Sequence, residues 1–212
     1  MGITDFLKSL LQDPPEGSEH SENSKNPADP ILYPEGSPRL TPEQIRAYDQ
    51  WLLPLEDRLV AELEKLTWLK IYARMPVEQR QEVMQRVVDT YASIFGFRQA
   101  QVLVNTNKRP ISWYGQGTIL LDSRMIASLN LAASTVLHEG THNHQRSVVN
   151  RFKRGELAPE DPLAAMAEVW EYNFQHYLSP QPGKIALYER QPVEFFANRF
   201  ALCVLNRVSY LR

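Results

Sequence analysis

Apolar residues return every three or four positions along most of this chain, the spacing of one helix face, and give way to short strand-like runs only near its middle. Ile45, Tyr48, Leu52, Leu55, Leu59, Leu63 and Leu66 mark the inner faces of the first helical stretch. Thr41-Pro42-Glu43-Gln44 opens it with a capping hydroxyl, a proline in the first turn and a glutamine three residues after the cap. Pro54 predicts a break after about residue 53, with a second helix carrying on to about residue 66. A further helix fits 76–95, with Val83, Val87, Tyr91 and Ile94 inward and Gly96 as its stop. The period then changes. Residues 101–104, 112–114 and 118–121 read as strands set around Gly115 and Gly117. Helices follow at about 124–129, 131–150, 161–178 and 192–208. The fold class is therefore α+β: mainly helical, with a small antiparallel or mixed sheet placed before the helix at 131–150.

Residues 1–40 follow another pattern. Phe6, Leu7, Leu10 and Leu11 suggest a short amphipathic helix, and 13–40 is rich in Pro, Glu, Ser and Asn, a linker or an extended strap with a solvated His20. This divides the chain into an N-terminal segment, 1–40, and a folded domain, 41–212. The 212 residues are 43% hydrophobic and 23% charged, ordinary for a soluble globular protein. A formal net charge of −2 gives no attraction to nucleic acid or to an anionic membrane. No apolar run reaches the length of a membrane span. The start lacks the basic and apolar stretches of a secretory signal, which points to the cytoplasm of the producing cell, with export lacking a cleavable signal left open. Cys203 is the only cysteine, so no disulfide can form within the chain, and core packing is its expected role.

Two apolar helices carry polar exceptions, and these hold the chemistry. The run 131–137 has no charge, proline or glycine, and it leads into His138-Glu139-Gly140-Thr141-His142. Histidines four apart lie about 40° apart around a helix, one turn above each other, so both imidazoles can reach one ion. This H-E-x-x-H pattern is the signature of a helix-borne zinc site in which the glutamate takes a proton from water at the open coordination position. The alternative is a surface helix bearing these residues by chance. A buried helix opposes it, because unpartnered polar groups inside cost several kcal/mol.

A catalytic zinc site needs a third ligand. From Pro192 to Leu205 the chain is apolar on nearly every side, and Glu194 is its one acidic residue. A carboxylate on a buried helix requires a cation. Zinc held by His138 and His142 is one candidate, with Asn198, four residues on, as a supporting partner; the others are an ion pair of Glu194 with Arg199 or Arg207, and a carboxylate that only favours the helix N-terminus. Glu168 is a second candidate ligand, although it and Glu171 fall off the apolar stripe formed by Leu163, Met166, Ala167, Trp170, Phe174 and Tyr177. Tyr188 is the favoured donor to the oxyanion, ahead of Trp113, Tyr114 and His144. His144 points about 200° away from His142 and cannot join the same ligand set. His176 reads as structural.

The two motifs, His138-Glu139-Gly140-Thr141-His142 and Pro192-x-Glu194-x-x-Ala197-Asn198-x-Phe200-Ala201, together resemble the gluzincin-type minimal zinc peptidases. These include the ImmA/IrrE family and the metallopeptidase domains of bacterial toxins and effectors. The resemblance covers about the last half of the chain. It implies a zincin-like fold, Zn2+ as cofactor, His138, His142 and Glu194 as ligands and Glu139 as general base. It also implies a protein or peptide substrate held at the edge of the small sheet, and a cognate inhibitor or immunity protein if the chain is a toxin. The spacing between the motifs is longer than in the ImmA/IrrE group and no helix-turn-helix is evident, so a role in transcription does not follow. Two other expectations share the residues: a zinc amidase or deacylase acting on peptidoglycan or another non-protein amide, and a binding protein that keeps the scaffold without turnover.

Overall fold

The computed structural model of the chain describes residues 31–105, 113–115, 117–181 and 183–209. The expected helix around Phe6 to Leu11, His20, and the linker up to residue 30 lie outside the described residues.

Helix α1 spans Pro42–Glu64. Its start is the expected reciprocal cap: Gln44 N–H donates to Thr41 Oγ1 at 3.2 Å, and Thr41 N–H donates to Gln44 Oε1 at 2.8 Å. Pro54 does not break it, contrary to expectation. The proline and Gln50, whose carbonyl loses its partner, both face solvent, where that carbonyl is open to hydration. A 3-10 helix at Thr67–Arg74, not foreseen, leads to α2 (Val77–Phe95), which Gly96 ends in the left-handed region at φ 69°.

Three strands follow: β1 (Gln101–Asn105), β2 (Trp113–Gly115) and β3 (Thr118–Asp122). Their order is β1-β3-β2, with β1 parallel to β3 and β2 antiparallel to it, so the small sheet is mixed. β3 is the middle strand, and β1 and β2 are the edges. The edge of β1 is already occupied by α2. Val102 N–H donates to Gln85 Oε1 at 2.7 Å, Gln85 Nε2 donates to Ala100 O at 2.9 Å, and Gln81 Nε2 donates to Val102 O at 3.0 Å. After β3, Asp122 Oδ1 accepts from the N–H groups of Arg124 and Met125, so the expected helix at 124–129 is a turn.

Helix α3 (Leu129–Lys153) is the axis of the structure, packed against α2, α4 (Pro162–Gln175) and α6 (Pro192–Arg207), with β3 and β2 against it as well. It is buried on nearly all sides from Ala132 to Gln145, with only His138 and Glu139 half-exposed. A short helix, α5 (Ile185–Arg190), precedes α6. Of the Pro-rich segment, 31–40 lies against the helices: Ile31 and Leu40 are buried, Leu32 N–H donates to Arg190 O at 2.7 Å, and the Tyr172 hydroxyl donates to Glu35 O. No helix among the described residues is long and apolar enough to cross a membrane.

The two glutamines of α2 fix the distance of the sheet from the helices. Gln85→Leu would leave the buried Val102 N–H without a partner. It is expected to cost about 1–3 kcal/mol in urea unfolding, with unchanged helical circular dichroism at zero denaturant.

Candidate metal centre

Helical spacing alone brings His138 and His142 together on α3. Their Nε2 atoms lie 3.0 Å apart, with the rings at 90° to each other. Across from them stands the first turn of α6, which Pro192 opens and which carries Glu194, 1% exposed. Glu194 Oε2 is 3.2 Å from His138 Nε2, and Oε1 is 3.2 Å from His142 Nε2. Donors held about 2.0–2.1 Å from one ion at tetrahedral angles stand about 3.3 Å apart, so this cluster has the spacing of a three-point ligand set. Glu194 Oε2 is fully buried and accepts no hydrogen bond, which leaves a lone pair aimed into the group. Two imidazoles and one carboxylate within reach of one another suit a divalent transition ion such as zinc.

The second ring nitrogen of His142 shows how the site is oriented. Gln145 Nε2 donates to the carbonyl of Val193 at 3.0 Å, so the other end of the amide, Oε1, faces His142 Nδ1 at 2.9 Å. An amide oxygen only accepts; Nδ1 therefore carries the hydrogen and Nε2 can offer its lone pair to an ion. The same chain of bonds sets the height of α6. Val193 N–H donates to Asn173 Oδ1 at 2.9 Å, and Asn173 Nδ2 donates to Gln191 Oε1 at 3.0 Å. Gln191 also bonds both backbone groups of Leu178. Gln145, Asn173 and Gln191 are each 0% exposed. They tie α3, α4 and α6 to one another one residue away from the candidate ligand.

The two middle residues of the motif are explained by α2. The Tyr91 ring lies against Gly140 so closely that a Cβ there would meet Tyr91 Cδ1 at 2.9 Å. The Tyr91 hydroxyl lies 3.0 Å from Thr141 Oγ1, which donates to Leu137 O at 2.8 Å. Glu139, half-exposed, makes no hydrogen bond or ion pair among the described residues, so its carboxylate is uncommitted there. Its charge nonetheless acts on His142 and on Tyr177.

The two arginines of α6 have other partners. Arg199 pairs with Asp49 at 2.7 Å, and Arg207 with Asp57 and Glu56, so neither neutralises Glu194. Asn198 makes no hydrogen bond to it among the described residues. The supporting partner is instead Tyr177, whose hydroxyl donates to Glu194 Oε1 at 2.6 Å. Tyr177 lies two residues beyond the end of α4 and is 41% exposed. Its helical spacing marks it as apolar packing, and nothing in the sequence signals this bond. Tyr188, the favoured oxyanion donor, does approach the site, with its hydroxyl 3.2 Å from that of Tyr177. Burial and the charge of Glu194 raise the pKa of both phenols, so both keep their protons at neutral pH. Glu189 nearby is raised to about 7 by burial and by Glu194.

The remaining candidates lie elsewhere. Glu168 is exposed, away from the histidines. His144 sits in an aromatic cage, stacked on Trp51 with Phe95 and Phe97 around it, and burial lowers its pKa to about 3, so it is a neutral core ring. His176 caps α4, with Nδ1 2.9 Å from Tyr172 O. Cys203 is half-buried, and its thiol donates to the buried Glu56 carboxylate rather than packing only against apolar groups. The side chains of Trp113 and Tyr114 lie outside the described residues. Comparison with family models, curated proteins and solved structures finds nothing that matches this chain.

Two measurements follow from this geometry. Gly140→Ala forces a methyl into the Tyr91 ring and is expected to cost about 1–3 kcal/mol of stability, read by thermal or urea unfolding. The second concerns protons. Burial alone would lower the pKa of His142, but the Glu194 carboxylate, with Glu139 and Gln145, raises it to about 9 without an ion. At pH 7 the metal-free imidazole is therefore charged, and an ion must displace its proton. Titration calorimetry in buffers of different ionisation enthalpy should find about one proton released per zinc bound at pH 7, and affinity should rise about tenfold per pH unit until pH 9. Uptake with no proton released would contradict this arrangement.

Proposed function

We propose that the chain is a zinc-dependent hydrolase that cleaves an amide bond in a protein or peptide, with His138, His142 and Glu194 holding the ion and Glu139 as general base. The observation that carries this reading is the buried Glu194 carboxylate, opposite two histidine nitrogens at 3.2 Å and with one oxygen free of hydrogen bonds. A zinc ion held there would supply Lewis acidity toward the scissile carbonyl and lower the pKa of water beside it.

The protein groups do the rest. Glu139 takes a proton from the attacking water as its oxygen bonds to the carbonyl carbon, then passes that proton to the leaving nitrogen as the C–N bond breaks. Its exposure at the mouth of the cluster, without a competing partner among the described residues, leaves it free for both transfers. Of the two phenols, kept protonated, Tyr188 is the one whose proton can turn to charge that develops on the carbonyl oxygen, since that of Tyr177 is held by Glu194.

A peptide is favoured over a sugar-linked amide by the rim. Tyr177, Leu178, Ile185 and Leu187 are 41–44% exposed along the segment from the end of α4 to α6, an apolar surface suited to a hydrophobic side chain. An extended substrate adding to the sheet would use β2, because α2 glutamines occupy the backbone of Val102 on β1. A bacterial effector or toxin peptidase is the biological setting that the motif resemblance favours.

Glu139→Gln is expected to retain one zinc per chain and to lower peptide hydrolysis by about 10²–10⁴-fold. Proteomic comparison of target cells exposed to the wild type and to this variant would reveal the substrate as fragments present only with the wild type. Zinc-loaded wild type that cleaves no peptide while binding a partner tightly would instead indicate a scaffold without turnover.

A further inference from the structure

Glu194 is an asymmetric carboxylate. Each oxygen lies 3.2 Å from one histidine Nε2, but only Oε1 also accepts a hydroxyl, that of Tyr177 at 2.6 Å, while Oε2 is buried without a hydrogen bond. The short O–H···O contact is that of a phenol donating to a charged carboxylate, a bond of the stronger class. Tyr177 is itself held by position rather than by chance. The chain leaving α4 is fixed at Leu178, whose N–H and C=O both bond the fully buried Gln191 side chain. Gln191 is the residue that precedes Pro192 and the turn carrying Glu194. The same amide therefore places the phenol and the carboxylate relative to each other.

Behind Tyr177 stands a second phenol. A hydroxyl has one proton, and that of Tyr177 is committed to a carboxylate that can only accept. The proton shared across the 3.2 Å between the two phenol oxygens must therefore come from Tyr188. Donation from Tyr188 polarises the Tyr177 O–H and strengthens its bond to Glu194.

We propose that Tyr177 is a positioning residue that restricts Glu194 to a one-oxygen ligand by occupying Oε1, so that Oε2 alone binds the ion and a coordination position stays open for the substrate. This rests on the metal-site reading above. A carboxylate with both oxygens free can chelate through both and take up the position that chemistry needs. By holding one lone pair of Oε1 and fixing the orientation of the carboxylate, the phenol weighs against that without touching the ion.

Cobalt(II) in place of zinc reports the coordination number directly, because four-coordinate sites absorb visible light more strongly than five-coordinate ones. Wild type, Tyr177→Phe and Tyr188→Phe, each checked for folding by circular dichroism, are to be loaded with one equivalent of Co2+. Tyr177→Phe frees Oε1 and should lose about half or more of the visible absorption, with zinc affinity falling about 10-fold or more. Tyr188→Phe keeps the Tyr177 bond to Glu194 and removes only its reinforcement, so it should lose less than half as much of the absorption as Tyr177→Phe. Identical spectra for wild type and Tyr177→Phe would overturn the proposal. Equal losses in both variants would also overturn it, since they would indicate the packing of the phenol pair rather than the bond to Oε1. A wild type that takes up no Co2+ is a distinct result, which defeats the metal-site reading and this inference with it.

Discussion

A carboxylate enclosed by protein is the constraint on which this structure turns. Glu194 is almost wholly removed from water, and a charge there is tolerable only beside a compensating cation. The two arginines carried by the same helix, Arg199 and Arg207, are engaged with Asp49, Asp57 and Glu56. What faces Glu194 is a pair of imidazoles, and these can compensate it either by holding a proton or by sharing an ion. The shifts of the two groups in opposite directions, His142 upward and Glu194 well downward, express that demand electrostatically.

Much of the interior can be understood as support for this contact. α3 lies at the centre because its motif must be reached from several sides: by α6 for the carboxylate, by α2 for the Tyr91 contacts, and by α4 for the amide chain. Buried amides carry the coupling between these helices. Each fully buried Gln or Asn has its oxygen and nitrogen committed to named partners, which defines a single arrangement of the helices rather than a family of them. Close packing without directional bonds would hold the helices together but would not fix the carboxylate to within the few tenths of an ångström that three shared donors require.

The polar groups are also graded by depth. Glu194, His142 and Gln145 are buried and orienting; His138 and Glu139 are half-exposed; Tyr177 reaches the surface. Burial thus falls along the cluster, from the side chains packed between the helices to those that meet solvent.

The amino-acid order by itself determined whatever depends on local spacing. The i, i+4 relation of His138 and His142, the capping box at Thr41, the stop at Gly96 and the apolar enclosure of α3 and α6 all follow from helical period and backbone preference. The α+β class and the position of the sheet before α3 follow from the change of period. Glu194 could be singled out as an acid on an apolar helix, but its approach to the histidines, 52 residues from His142 in the chain, needed tertiary structure. So did the continuity of α1 through Pro54, which depends on which side of the helix meets water, and the turn at 124–129, which depends on the Asp122 carboxylate. The role of Tyr177 was hidden for the same reason. Helical period assigns a residue to a face, but a hydrogen bond to a carboxylate on another helix is decided only when packing brings the two side chains within reach.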